Sequence, residues 1–236
     1  MSKEETTPDL IKDIYNLPLG EKEAAFIYSG WARILFRTKE KTIAFDIGAK
    51  GITTEGLNFI KHLDLHLYSH THRDHFSPRV TKKLFKQTNA PLIVEPMVTE
   101  EIPEEIPSES IQVLSTGETK QISGFEIRST VGIHPRPITL FCFKWDKISI
   151  FHGADSGHVN LSRLKAEFAF IPTGRPSPSC SPEEGLKMVM DVQSQVAVAM
   201  HGTTKQMQEF KHLVEKNMPE CSVIIPEKGK ITKILI

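Results

Sequence analysis

The sequence predicts an α/β protein in which two β-sheets pack together with helices outside. Three observations predict it. Each half of the chain reads as a β-rich stretch followed by alternating β and α segments. No convincing linker separates the halves, and no short-period repeat runs through them. The 236 residues, 39% hydrophobic and 25% charged, suffice to bury a sizeable core. Sheets stacked face to face under outer helices are one of the few layerings that hide every apolar surface. One domain over residues 1–236 is therefore expected, with residues 1–22 as a peripheral N-terminal segment.

The elements follow in order. Leu10, Ile11, Ile14 and Leu17 make a weak apolar face on a short N-terminal helix or arm. Strands are predicted over Ala24 to Ser29, Arg33 to Arg37 and Lys41 to Phe45, the last ending in the turn signal Asp46-Ile47-Gly48. Ile52 to Leu63 has helical spacing, and Leu65 to Ser69 is a short buried strand. Ser77-Pro78 opens a helix to about Gln87, because Ser can cap and Pro suits the first helical position. Leu92 to Val94 is a strand, and Pro96 to Ser110, rich in Pro and Glu, is a solvated connection.

From Ile111 to Phe151 strand follows strand, including Phe125 to Val131, Ile138 to Trp145 and Ile148 to Phe151. A short helix near Leu161 to Leu164 follows, then a strand Phe168 to Ile171, a helix Pro182 to Val192 and a strand Val196 to Met200. A helix from Lys205 to Lys216 precedes two strands, Ser222 to Ile225 and Lys230 to Leu235.

Composition narrows the function. Lys plus Arg equals Asp plus Glu at 29 each, which removes the usual electrostatic case for a nucleic-acid or membrane-surface binder. A local basic groove would still be compatible with that balance. Three cysteines are too few for a disulfide framework, and no apolar run is long enough to span a bilayer. The polar, acidic start Met-Ser-Lys-Glu-Glu-Thr-Thr-Pro does not read as a signal peptide, so a cytoplasmic protein is expected. A homo-oligomer is compatible with the sequence.

Histidine is the informative residue. Ser69-His70-Thr71-His72-Arg73-Asp74-His75-Phe76-Ser77-Pro78 directly follows a buried strand and directly precedes a capped helix. Alternate residues of extended chain point the same way, so His70, His72 and Asp74 can converge while His75 turns in at the bend. Imidazole and carboxylate are good ligands for divalent transition metals.

His70-x-His72-x-Asp74-His75 resembles the signature of the metallo-β-lactamase superfamily. Three further positions extend the resemblance: His134 in Gly132-Ile133-His134-Pro135, Asp155 in Gly153-Ala154-Asp155-Ser156-Gly157, and His201 in Met200-His201-Gly202-Thr203. It covers about Ala24 to Ile236. It implies a four-layer α/β/β/α sandwich with two divalent metal ions at one edge, zinc first, with manganese, iron or nickel as alternatives. His70, His72 and His134 would hold one ion, and Asp74, His75 and His201 the other. Asp155 would bridge both beside a water or hydroxide. Asp46 matches an early aspartate that orients a ligating histidine. Ala154 and Ser156 depart from the frequent Gly-Asp-Thr-Gly, and Gly30-Trp31 from the commoner Gly-His; neither removes a ligand. The flanking segments are similar to the branch of L-ascorbate-6-phosphate lactonase.

The resemblance implies a hydrolase acting on a small, anionic, ester-like molecule: a lactone, thioester or phosphodiester. A metal-bridging hydroxide would be the nucleophile. Asp74 and Asp155 would carry the catalytic charge, with His158 a candidate proton donor. Arg136, Arg175 and Lys205 are candidate anchors for an anionic substrate. The alternatives are a phosphodiesterase or nuclease acting on nucleic acid, an iron-dependent oxidoreductase, and a metal-binding protein without turnover.

Overall fold

A computed structural model describes residues 7–174 and 180–236. The chain divides into two compact units. The first comprises the chain up to Val113 together with Glu227–Ile236, and the second is Leu114–Pro226.

The first unit is built on strands β1 (Glu23–Tyr28), β2 (Ile34–Thr38), β3 (Thr42–Phe45), β4 (Leu65–Tyr68), β5 (Leu92–Val94) and β6 (Ile111–Val113). Its helices are α1 (Pro8–Asn16), α2 (Thr54–Leu57) and α3 (Pro78–Thr88). The last strand of the whole chain, β14 (Ile231–Leu235), completes the sheet by pairing antiparallel with β1. The order is β14-β1-β2-β3-β4-β5-β6, antiparallel as far as β3 and parallel beyond it. Ile11 and Ile14 of α1 and Val80 and Leu84 of α3 share an apolar cluster with Ala25, Ile27, Leu35 and Ala44 of the sheet. Alternate strand residues Phe26, Phe36, Phe45 and Leu67 are fully buried too.

The second unit contains β7 (Thr119–Ile122), β8 (Phe125–Val131), β9 (Thr139–Trp145), β10 (Ile148–His152), β11 (Phe168–Pro172), β12 (Val196–Met200) and β13 (Ser222–Ile224). Its helices are α4 (Pro182–Val192) and α5 (Thr204–Asn217). The sheet order is β13-β12-β11-β10-β9-β8-β7. Here β7 to β10 are antiparallel and β10 to β13 parallel, the same succession as in the first sheet. Both helices open on capping boxes, Ser181 with Glu184 and Thr203 with Gln206.

Three expectations change. The helix read over Ile52 to Leu63 is a single turn, α2. Ile60 and Leu63 are buried, but after Ile60 N to Leu57 O at 3.3 Å the turn stops, and side chains bond carbonyls of this segment. Tyr15 Oη donates to His62 O at 2.6 Å, and Gln87 Nε2 to Leu57 O at 3.0 Å and Ile60 O at 3.2 Å. Leu161 to Leu164 is likewise one turn, closed by Leu164 N to Leu161 O at 2.7 Å. The connection from Pro96 contains 3₁₀ turns at Pro96–Glu101 and Ser108–Ser110 and buries Val98 and Ile106.

Candidate metal centre

In the first unit the candidate ligands follow the C-terminal ends of parallel strands, where α/β sheets bind ligands. Asp46 follows β3 with a left-handed φ of 49°, and the histidine loop follows β4. Asp46 is fully buried and accepts hydrogen bonds from Ser69 and His75. Ser69 N donates to Oδ1 at 2.7 Å, and Ser69 Oγ and His75 Nδ1 reach Oδ2 at 2.6 and 2.9 Å. Ser69 Oγ also lies 2.9 Å from His70 Nδ1.

These contacts assign the tautomers. An ionised carboxylate only accepts, so His75 Nδ1 carries a proton. The Ser69 hydroxyl gives its proton to Asp46, so its lone pair takes a proton from His70 Nδ1. Both rings then present an unprotonated Nε2, the form a metal requires. The rings of His70 and His75 lie 4.2 Å apart, and those of His70 and His72 4.8 Å apart. His75 Nε2 stands 3.7 Å from Asp74 Oδ2.

The loop is held from below. His75 N and Phe76 N both donate to His72 O, at 2.8 and 2.7 Å, and Ala49 N donates to Arg73 O at 3.0 Å. A Cβ at Gly48 would stand 2.7 Å from the Asp74 carbonyl, so only glycine permits this approach. Arg33, fully buried, donates from Nη1 to Asp74 O at 3.1 Å and from Nη2 to Ser29 O at 2.9 Å. Burial lowers its guanidinium to about 10, against the pull of Asp74.

The second unit assembles its own set. His134 lies in the β8–β9 connection, Asp155 just after β10, and His201 just after β12. Ala154 and His201 have left-handed φ values of 48° and 49°. Such backbone persists where surrounding contacts hold it. Asp155 Oδ2 stands 3.4 Å from His134 Nε2 and 3.7 Å from His201 Nε2, with all three side chains nearly inaccessible. Ser156 Oγ accepts from Ile133 N at 2.8 Å, and Gly157 N donates to Ile133 O at 2.8 Å, which clamps the His134 loop to the Asp155 turn. His134 Nδ1 accepts from Arg136 N at 3.1 Å and lies 3.2 Å from the Arg136 carbonyl, contacts that turn Nε2 toward Asp155. A Cβ at Gly174 would collide with the His201 carbonyl oxygen.

The donor sets fit a divalent cation. Nitrogen–oxygen separations of 3.4 and 3.7 Å are too long for good hydrogen bonds. They approach the ligand–ligand edge of about 3.4 Å expected of a tetrahedral site with bonds of about 2.0–2.1 Å. The donors are nitrogen and oxygen alone. Cys142, Cys180 and Cys221 are buried and free of disulfides, and desolvation raises the Cys142 and Cys221 thiols to about 11.

The other sequence candidates lie as follows. His158 Nε2 bonds Asp191 Oδ2 at 3.0 Å, and the same oxygen accepts from Leu161 N, so this histidine is tied to the end of α4. Arg136 is exposed beside His134, and Lys205 is exposed in the first turn of α5. Arg175 lies outside the described residues. Sequence reasoning passed over Ser69, Arg33, Gly48 and Gly174. Ser69 stands next to the histidine signature and Gly48 ends the Asp46-Ile47-Gly48 turn signal, but neither pattern named their contacts; Arg33 carried no local signal.

Each of the two seven-stranded mixed sheets carries buried histidine and carboxylate groups just beyond its strand ends, the pattern of a metallohydrolase-type scaffold. A family model described as "Beta-lactamase superfamily domain" matches residues 26–201, and the chain belongs to that superfamily. No curated protein matches the chain. Among solved structures, a Parabacteroides distasonis protein aligns with TM-score 0.74 and 16% identity over 88% of this chain and 94% of its own. Igni18, a metallo hydrolase from the archaeon Ignicoccus hospitalis, aligns with TM-score 0.74 and 18% identity over 91% and 99%. CmlA, a diiron β-hydroxylase from Streptomyces venezuelae, aligns with TM-score 0.69 and 12% identity over 93% of this chain and 55% of its own. At these identities the likeness establishes the metallo-β-lactamase fold. No described helix is long and apolar enough to cross a membrane.

Proposed function

We propose that the chain is a dinuclear metal-dependent hydrolase of small, anionic, ester-like substrates. The observation that carries the reading is the Asp46–Ser69 network, which orients the His70 and His75 rings through Nδ1 and leaves His75 Nε2 3.7 Å from the Asp74 carboxylate. That arrangement serves no evident purpose in a merely packed core. In this reading His70, His72, Asp74 and His75 of the first unit and His134, Asp155 and His201 of the second would supply the ligands of the divalent cations. When bound, divalent cations supply a hydroxide nucleophile near neutral pH and Lewis-acid polarisation of the scissile group.

The chain's own residues do the rest. Asp46 holds two imidazoles in the coordinating tautomer. Ser156 and the Gly157–Ile133 bridge keep His134 beside Asp155. Arg136, Arg175 and Lys205 are offered as anion anchors, and His158, oriented by Asp191, as a proton donor. Zinc is the expected metal, and the diiron centre of CmlA keeps iron as the second candidate.

The test is metal analysis of protein purified without chelator, followed by turnover of a lactone, a thioester and bis(p-nitrophenyl) phosphate with and without EDTA. About two equivalents of metal and EDTA-sensitive turnover are expected. Metal well below one equivalent, or turnover indifferent to EDTA, would overturn the reading. Sugar-phosphate lactones belong in the panel because the flanking motifs are similar to L-ascorbate-6-phosphate lactonase. Preferential cleavage of single-stranded DNA would favour the nuclease reading instead.

A further inference from the structure

A second feature of the first unit is a cavity of about 720 Å³ opening beside the β4 loop. That volume is in the range of small-molecule sites. Its apolar wall is Trp31, Phe76 and Pro78. Its charged wall is Lys50, Arg73 and Arg79, all exposed. The opposing carboxylates are Asp74, already assigned to the metal site, and Glu101.

Trp31 is the unusual member. It is 39% exposed, although large apolar side chains are normally hidden. Its φ of 52° is left-handed, a conformation rarely adopted by bulky residues and usually given to glycine. The turn it occupies is closed by Arg33 N to Gly30 O at 3.1 Å and Ser29 N to Arg33 O at 3.0 Å. The Arg33 guanidinium lies 4.3 Å from its ring and the Lys228 ammonium 5.7 Å. The same Arg33 bonds the Asp74 carbonyl. A strained backbone thus holds an exposed aromatic plate at a fixed position relative to a proposed metal ligand. Strain of this kind is retained where it serves a site.

We propose that this cavity recognises the substrate, and that the substrate class is a small molecule combining a planar aromatic or heteroaromatic ring with an anionic group. The ring packs against Trp31, offset or edge-on. The anion is met by Arg73, Arg79 and Lys50, with the arginines able to bind phosphate or carboxylate in fork geometry. The assignment rests on the hydrolase reading for its chemistry, but its binding prediction stands apart from turnover.

The experiment measures binding calorimetrically with two probes that no hydrolase cleaves, benzylphosphonate and methylphosphonate, on metal-loaded and on chelator-stripped protein. Benzylphosphonate is expected to bind roughly three- to tenfold tighter in both forms. Trp31→Gly suits the left-handed turn and removes only the ring; it is expected to erase that preference while leaving methylphosphonate affinity within twofold. Trp31→Phe is expected to restore part of it. Arg73→Gln with Arg79→Gln is expected to weaken both probes together. Equal affinity for the two phosphonates in the wild type, or a preference that survives Trp31→Gly, would overturn the pocket assignment. Absence of metal and of EDTA-sensitive turnover would overturn the hydrolase reading while leaving the ring preference intact, so the two failures are distinguishable.

Discussion

Replacing Asp46 by asparagine keeps its size and tests the network beneath the metal site. The carboxylate accepts from Ser69 N, Ser69 Oγ and His75 Nδ1 at 2.6–2.9 Å, all buried. Asparagine has one oxygen for these three donors. If the amide nitrogen takes the Oδ2 position, His75 must accept at Nδ1, which moves its proton onto Nε2 and blocks the coordinating nitrogen. If it takes the Oδ1 position, it faces the Ser69 N–H, donor against donor. Either arrangement leaves a buried group unsatisfied, at about 1–3 kcal/mol. Loss of such an orienting partner lowers metal affinity about 10–100-fold, equivalent to about 1.4–2.7 kcal/mol. The assay is titration of stripped protein with zinc against a chromophoric chelator, with near-ultraviolet circular dichroism confirming that the variant is folded. A folded Asp46→Asn protein that binds zinc within twofold of the wild type would refute the tautomer argument.

Three further outcomes are expected. Gly174→Ala places a Cβ against the His201 carbonyl and should lower zinc affinity at least tenfold in the same titration, with a smaller effect on folding because Gly174 lies in a loop. Arg33→Met leaves the carbonyls of Ser29 and Asp74 without this donor and should destabilise the chain by about 2–4 kcal/mol, read as a lowered urea midpoint. His66 is fully buried on β4, its ring nitrogens have no hydrogen-bond partner among the described residues, and burial lowers its pKa to about 3. The unfolded chain therefore takes up a proton near pH 6.5 that the folded chain refuses until about pH 3. Stability from this residue is complete above about pH 6.5 and falls as the pH drops, by about 2 kcal/mol at pH 5. His66→Leu should flatten urea stability between pH 7 and 5, and an unchanged slope would remove His66 as a cause of acid sensitivity.

The parts of the fold that were legible in the sequence are those where local pattern and tertiary environment agree. Leu92–Val94, Phe125–Val131, Pro182–Val192 and Val196–Met200 form where periodicity placed them. The Ile52 to Leu63 segment shows the limit, because its spacing reported burial and not geometry. Side chains of Tyr15 and Gln87, distant in sequence, take the carbonyls that a helix would have used. The last strand was legible as a strand, whereas its pairing with β1 is decided at the far end of the chain, by Glu23↔Leu235 and its companions.

The site divides the same way. Sequence alone determined the donor types and their strand-loop-helix setting, since His70, His72, Asp74 and His75 lie within six residues and their spacing is a local property. Only the folded chain decided which nitrogen each imidazole presents, because that depends on Asp46, which parallel pairing of β3 with β4 carries to within 2.9 Å of His75. Only the folded chain seated Arg33 beneath the loop and held Trp31 at the wall of a cavity. Covalent order governs which groups a short segment can offer. Protonation state, backbone strain and enclosure arise from contacts between segments that the chain keeps far apart until it folds.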